Sequence, residues 1–174
     1  MKILALLPGK TVPSSRYRLL QHIDMLKKQG VTVDVFHGLF GAYPPRFSML
    51  RFPWVAERLL EGLLAVSKSY YYDITFLQRG FISTINTIEP LLKKPLVLDV
   101  DDAIWINHEN FSRKLARQAT TIICGNSFLA EKFSTWNSSI HILPTAVNTN
   151  WFTPCSNKNL SDDKFIIGLS LIHI

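Results

Sequence analysis

Six short apolar runs, "KILALL", "VTVDVFHG", "YDITFLQRG", "PLVLDV", "TTIICG" and "IHILP", recur along the chain, separated by longer stretches of helical spacing. This alternation constrains the fold more than any other feature. A continuous apolar run such as "KILALL" is the pattern of a strand buried on both faces, while "VTVDVFHG" alternates as a strand. In "RYRLLQHIDMLKKQG", Tyr17, Leu20 and Ile23 fall at helical spacing; Ser15 is the expected N-cap, and Gly30 stops the helix after Lys27 and Lys28. "PWVAERLLEGLLAVSKSY" predicts a helix with Pro53 in its first turn, and "FISTINTIEPLLKK" one broken or started near Pro90. "ENFSRKLARQA" and "NSFLAEKFSTW" predict two more, the second capped by Asn126 or Ser127. Alternating strands and helices imply an α/β fold: a doubly wound, mostly parallel sheet with helices on both faces. Ligands of such sheets bind beyond the carboxyl ends of the strands, so the loops there are the place to look for chemistry.

The chain has 174 residues, enough for one domain with a sizeable core. No segment offers the ~20 apolar residues of a membrane span. The opening "MKILALLPGK" lacks the apolar length of a secretory signal. Cys124 and Cys155 make no disulfide framework, and Cys124, inside "TTIICG", is expected as a buried thiol. A cytoplasmic setting, at most peripheral to the inner face of a membrane, is the expectation. The glycosylation patterns at Asn110 and Asn137 are then chance. The net charge of +6 favours anionic partners, but the cations are spread over several segments. No aromatic–basic repeat or recognition-helix pattern points to nucleic acid.

"PGKT" ends like a phosphate loop, yet the glycine required five residues before Gly9 is Leu4, so the loop is too short to wrap a phosphate. The same segment carries Ser14, Ser15, Arg16 and Arg18 at the mouth of a helix, where an anion is favoured. In "PLVLDVDDAIW", Asp99, Asp101 and Asp102 crowd the carboxyl end of an apolar strand. Like charges packed together raise one another's pKa, which is also how a catalytic base is tuned. The structural alternative is that Asp99 caps a turn or pairs with an arginine while the others face water. Asp99-x-Asp101 also resembles the nucleophile motif of haloacid-dehalogenase-type, magnesium-dependent phosphatases, although Ala103 stands where that family has Thr or Val. The five histidines show no metal-ligand spacing; His108 is notable for following the aspartates. The stretch 41–72 combines aromatic, apolar and arginine residues. A core helix flanked by a loop is the expectation there, and a surface resting on a membrane interface the alternative.

Several strings, in order and spacing, resemble the N-terminal half of a GT-B glycosyltransferase of the large family 4 of retaining, nucleotide-sugar-dependent enzymes. "MKILALLPGKTVPSSRYR" resembles the opening strand and loop, and "ATTIICGNSFLAEKF" the strand–Ser–helix with Ser127 as the serine. "IHILPTAVNTNWFTP" resembles the string before the interdomain linker: Pro144, Val147, Phe152 and Pro154 match, while Thr145, Ala146 and Asn148 depart from the usual Asn-Gly and Asp. "LDVDDAIW" resembles a variant at the acceptor side of the cleft.

The resemblance implies a Rossmann-like acceptor-side domain over 1–154, a linker over 155–163 and the start of a second domain over 164–174. Within that last stretch, "LSLIHI" (169–174) resembles a translated sequencing adapter. It implies transfer of a sugar to a glycan, lipid or small acceptor. The nucleotide-sugar would be substrate, no cofactor or metal would be needed, and this half alone would be inactive. The implied roles are Asp101 or Asp102 as base or sugar-hydroxyl ligand, Ser14, Ser15, Arg16 and Arg18 at the donor phosphate, and Arg79, Trp105 and His108 at the acceptor. Partners would be donor and acceptor, with peripheral contact to anionic membrane and no nucleic acid. A phosphatase and a non-catalytic sugar- or nucleotide-binding domain are the competing readings.

Overall fold

The computed structural model describes residues 1–37, 49, 51–80, 88–106 and 108–153. Six strands form one sheet in the order β2-β1-β3-β4-β5-β6: β1 (Lys2–Leu7), β2 (Thr32–His37), β3 (Ile74–Gln78), β4 (Leu96–Val100), β5 (Thr121–Cys124) and β6 (Ile140–Ile142). Every pairing is parallel, as the alternation predicts. The sheet is open, with β2 and β6 at its edges. Among the described residues, five α-helices accompany it: α1 (Pro13–Arg18), α2 (Ile23–Lys28), α3 (Arg51–Ser69), α4 (Glu109–Gln118) and α5 (Ser127–Ser134).

Both faces of the central strands are covered. Leu4 and Leu6 of β1 join Leu77, Leu96, Leu98, Val100, Leu115, Ile122 and Phe133 in the larger core. Ala5 and Leu7, which alternate with them, pack with Leu19 against Leu20, Leu26 and Val33 on the other face. The strand order reverses between β1 and β3: β2 lies on one side of β1 and β3 on the other. The chain therefore passes from β1 and from β3 to opposite sides of the sheet, the arrangement that opens a crevice at the carboxyl edge.

Three local expectations are corrected. The predicted 16–30 helix is two helices joined by a 3-10 turn over Leu20–His22. Leu19, buried in the smaller core, has φ −135° and interrupts the helical backbone. Ser15 is not the cap. Pro13 starts α1 earlier, Val12 occupies the cap position without a side-chain bond, and Ser15 is fully buried within the helix. Gly30 does end α2, with φ +78°, a backbone region glycine enters at no steric cost. The third correction concerns α3. The leucines of this helix are not in the core: Leu59, Leu60, Leu63 and Leu64 are all exposed, while Ala65 joins the larger core. Among its described residues the buried ones are Arg58, Glu61, Gly62, Ala65 and Ser69.

Of the helix predicted around Pro90, the described part is a single 3-10 turn, Glu89–Leu91. Asn126 caps α5, its side chain accepting from the Leu129 amide at 2.9 Å. The expected linker, second-domain start and 169–174 tail lie outside the described residues. No described helix is long and apolar enough to cross a membrane.

Candidate functional site

Register places Gln78, the last residue of β3, beside Asp99 of β4, and Val100 beside Cys124 of β5. The carboxyl edge of the central strands is therefore polar where the strand interiors are apolar. Four side chains from three elements interlock there. Ser15 Oγ on α1 donates to Gln78 Oε1 at 2.8 Å. Arg18, one turn further, enters the same layer and gives Nε to both Asp99 oxygens, at 2.8 and 2.9 Å. A second guanidinium nitrogen binds Asp99, and the third donates to the Leu143 carbonyl at 2.9 Å and to Thr145 at 3.2 Å. The ion pair is buried, with side chains 3% and 2% exposed.

Burial pushes the Asp99 carboxyl above its ordinary range; the Arg18 bond pulls against that rise, and neighbouring Asp101 adds to it. Arg18 is held all the more firmly charged by the Asp99 bond. The pair also ties the segment after β6 to α1. Gln21 on the 3-10 turn adds a bond to the Ala146 carbonyl, and Tyr17 lies beside Phe152, ring centres 6.1 Å apart.

A second cation–carboxylate group stands at the mouth of the edge. Arg79 directly follows β3 and has φ +61°, in the left-handed region that costs a side-chain-bearing residue energy. Its amide donates to the Asp99 carbonyl at 3.0 Å. Its guanidinium bonds Asp101 at 3.0 and 3.2 Å and also bonds Asp102. Asp101 is 15% exposed and Asp102 62% exposed, so one carboxylate lines the wall and the other faces solvent. The next residue, Gly80, lies so close to Phe111 that a Cβ would stand 2.3 Å from the ring.

Trp105 follows the aspartates through a tight turn and packs edge-on against Phe133, centres 5.6 Å apart, and beside Phe128 at 6.0 Å. Phe128 is exposed. His108 precedes α4 and accepts through its carbonyl from the Ser112 amide.

The predicted residues thus divide. Asp101, Asp102 and Arg79 converge directly, and Trp105 and His108 follow on the same loop. The expected phosphate group does not converge: Ser15 and Arg18 turn inward, Arg16 is exposed with its guanidinium 5.8 Å from the Tyr17 ring, and the Ser14 hydroxyl is buried. Arg18 is a cross-strut between α1, β4 and the segment after β6, because the buried Asp99 requires a cation. Sequence reasoning missed Gln78, Phe128 and Arg58. Arg58 lines a small hollow with Leu6, Leu7, Pro8, Leu77, Gln78 and Gly80, at the point where the strand order reverses. Its signal in the sequence was a charged residue three positions before Glu61 in a leucine-rich helix.

Among the described residues, no group of three or more His, Cys, Asp or Glu side chains is placed to hold a metal ion. A comparison with known protein families and with curated proteins finds no match.

Proposed function

We propose that this chain is the acceptor-side half of a retaining, nucleotide-sugar-dependent glycosyltransferase of the GT-B type. One observation carries the reading. Arg79, in a left-handed backbone conformation at the carboxyl edge, holds Asp101 and Asp102 side by side at the mouth of the crevice. The accessible Asp102 carboxylate can accept a hydrogen bond from an acceptor hydroxyl and take its proton as that oxygen bonds the anomeric carbon and the bond from this carbon to the diphosphate breaks. Arg79 keeps the two like charges together. Trp105 and the exposed Phe128 ring give this mouth an apolar flank suited to the faces of a sugar ring. The donor half would supply the cations that stabilise the leaving diphosphate.

The phosphatase reading needs Asp99 as a nucleophile. Both Asp99 oxygens are held by Arg18 and its side chain is 2% exposed, which disfavours attack on a phosphate.

The test is sugar transfer from a panel of nucleotide-sugars by the protein joined to its donor half. Asp102→Asn is expected to lower kcat/KM by about 100-fold or more if it is the base, with Asp101→Asn as the companion variant. Full activity in both variants would remove the carboxylate role. Magnesium-dependent hydrolysis of p-nitrophenyl phosphate by the chain, abolished by Asp99→Asn, would establish the phosphatase instead.

A further inference from the structure

Helix α3 is inverted relative to an ordinary surface helix. Arg58 and Glu61 are buried as an i,i+3 ion pair, and both carboxylate oxygens of Glu57 are buried as well. The outward residues are apolar: Phe52, Val55, Leu59, Leu60, Leu63 and Leu64, each between 40% and 86% exposed. Their spacing of i, i+3, i+7, i+8, i+11 and i+12 makes one continuous stripe. From Phe52 to Ser67, the exposed residues of α3 include no charged one. A continuous exposed apolar stripe rimmed by polar residues marks a docking surface.

The borders of the stripe identify what it docks on. At its carboxyl end stand Lys68, whose ammonium lies over the Phe36 ring, and the exposed Tyr70 and Tyr71; exposed Leu91 and Lys94 flank Lys93 in the chain. Lys93 Nζ binds the Tyr70 and Tyr72 carbonyls, which places this lysine at the same end. The acidic groups there are engaged: Asp34 accepts from Tyr72 and Asp73 from the Lys2 amide. Tyrosines and lysines bordering an uncharged apolar band match the layering of a bilayer surface, with rings at the headgroups and cations toward anionic lipid. The net charge of +6 complements such a surface. We propose that α3 is a membrane-docking helix, lying along an anionic bilayer with its leucine stripe among the acyl chains. Arg58, on the opposite side of α3, would place the crevice about one helix diameter, roughly 10 Å, from the lipid.

The test is flotation of the full chain with vesicles of mixed phosphatidylglycerol and phosphatidylcholine. The chain is expected to float with them, and Leu60→Glu with Leu63→Glu to weaken partitioning by about tenfold or more. Met25→Glu, at an exposed position on α2, is expected to leave it unchanged. A second pair, Phe52→Ser with Leu64→Ser, keeps the test valid if the glutamates disturb folding by circular dichroism. Wild-type chain that stays unbound, or stripe variants that float as well as wild type, would overturn the proposal. So would a dimer in sedimentation that the same variants dissociate while wild type ignores vesicles; the stripe would then face a second copy.

Discussion

Arg18 and Asp99, separated by 81 residues, form a buried two-pronged ion pair that locks α1 to the carboxyl end of β4. Removing one partner of such a pair strands the other charge in the interior, so Arg18→Met is expected to cost ~3–5 kcal/mol in urea unfolding. The effect has a pH signature. The Asp99 carboxyl is already raised in the fold, so its contribution to stability is present below the ordinary carboxylate range and is lost as pH rises through the folded value. Loss of Arg18 raises it further. The variant should therefore be more damaged near about pH 8 than near about pH 4, where Asp99 can take a proton. Equal damage at both would show that Asp99 does not feel the missing cation.

Arg79 separates backbone strain from side-chain function. Its φ of +61° suits glycine better than any L residue. Arg79→Gly and Arg79→Ala both release Asp101 and Asp102, yet the glycine variant should be the more stable by about 1 kcal/mol. Denaturant titration of the two variants checks this; equal stability would mean that the position carries no strain.

Gly80 and Phe111 are coupled by contact. An added Cβ would meet the Phe111 ring at 2.3 Å, and that ring is buried in the core. Gly80→Ala is expected to destabilise by about 1–3 kcal/mol. Phe111→Leu should cost less in the Gly80→Ala background than alone, giving a coupling energy in a double-mutant cycle. Additive effects would contradict the contact.

Cys124 is fully buried at the end of β5, and burial pushes its thiol up to about 11. In a Cys155→Ser chain, Ellman's reagent at about pH 8 should find little reactive thiol until denaturant is added, since the thiolate is the reacting form. Because the folded value lies above the unfolded one, this thiol's contribution to stability is intact below the ordinary thiol range and is lost as pH climbs toward about 11. Cys124→Ala should flatten that part of the stability profile.

The parallel sheet was legible in the sequence because strands buried on both faces must be apolar throughout, and such runs leave few alternatives. The Gly30 stop and the Asn126 cap were legible too, since both act within a few residues of chain. So was the gathering of Asp101 and Asp102, which are neighbours already. What the tertiary structure decided depends on distance along the chain. Arg18 looked like a free cation at a helix mouth; strand register brought Asp99 to it, and a buried carboxylate takes the nearest guanidinium. Ser15 looked like a cap until Gln78 appeared beside it. Periodicity showed that α3 has an apolar face, but not which way that face turns, because the direction is set by what lies on each side of the helix. Here Arg58 turns toward the hollow between the ends of β1 and β3 and pairs with Glu61, while the leucines face out.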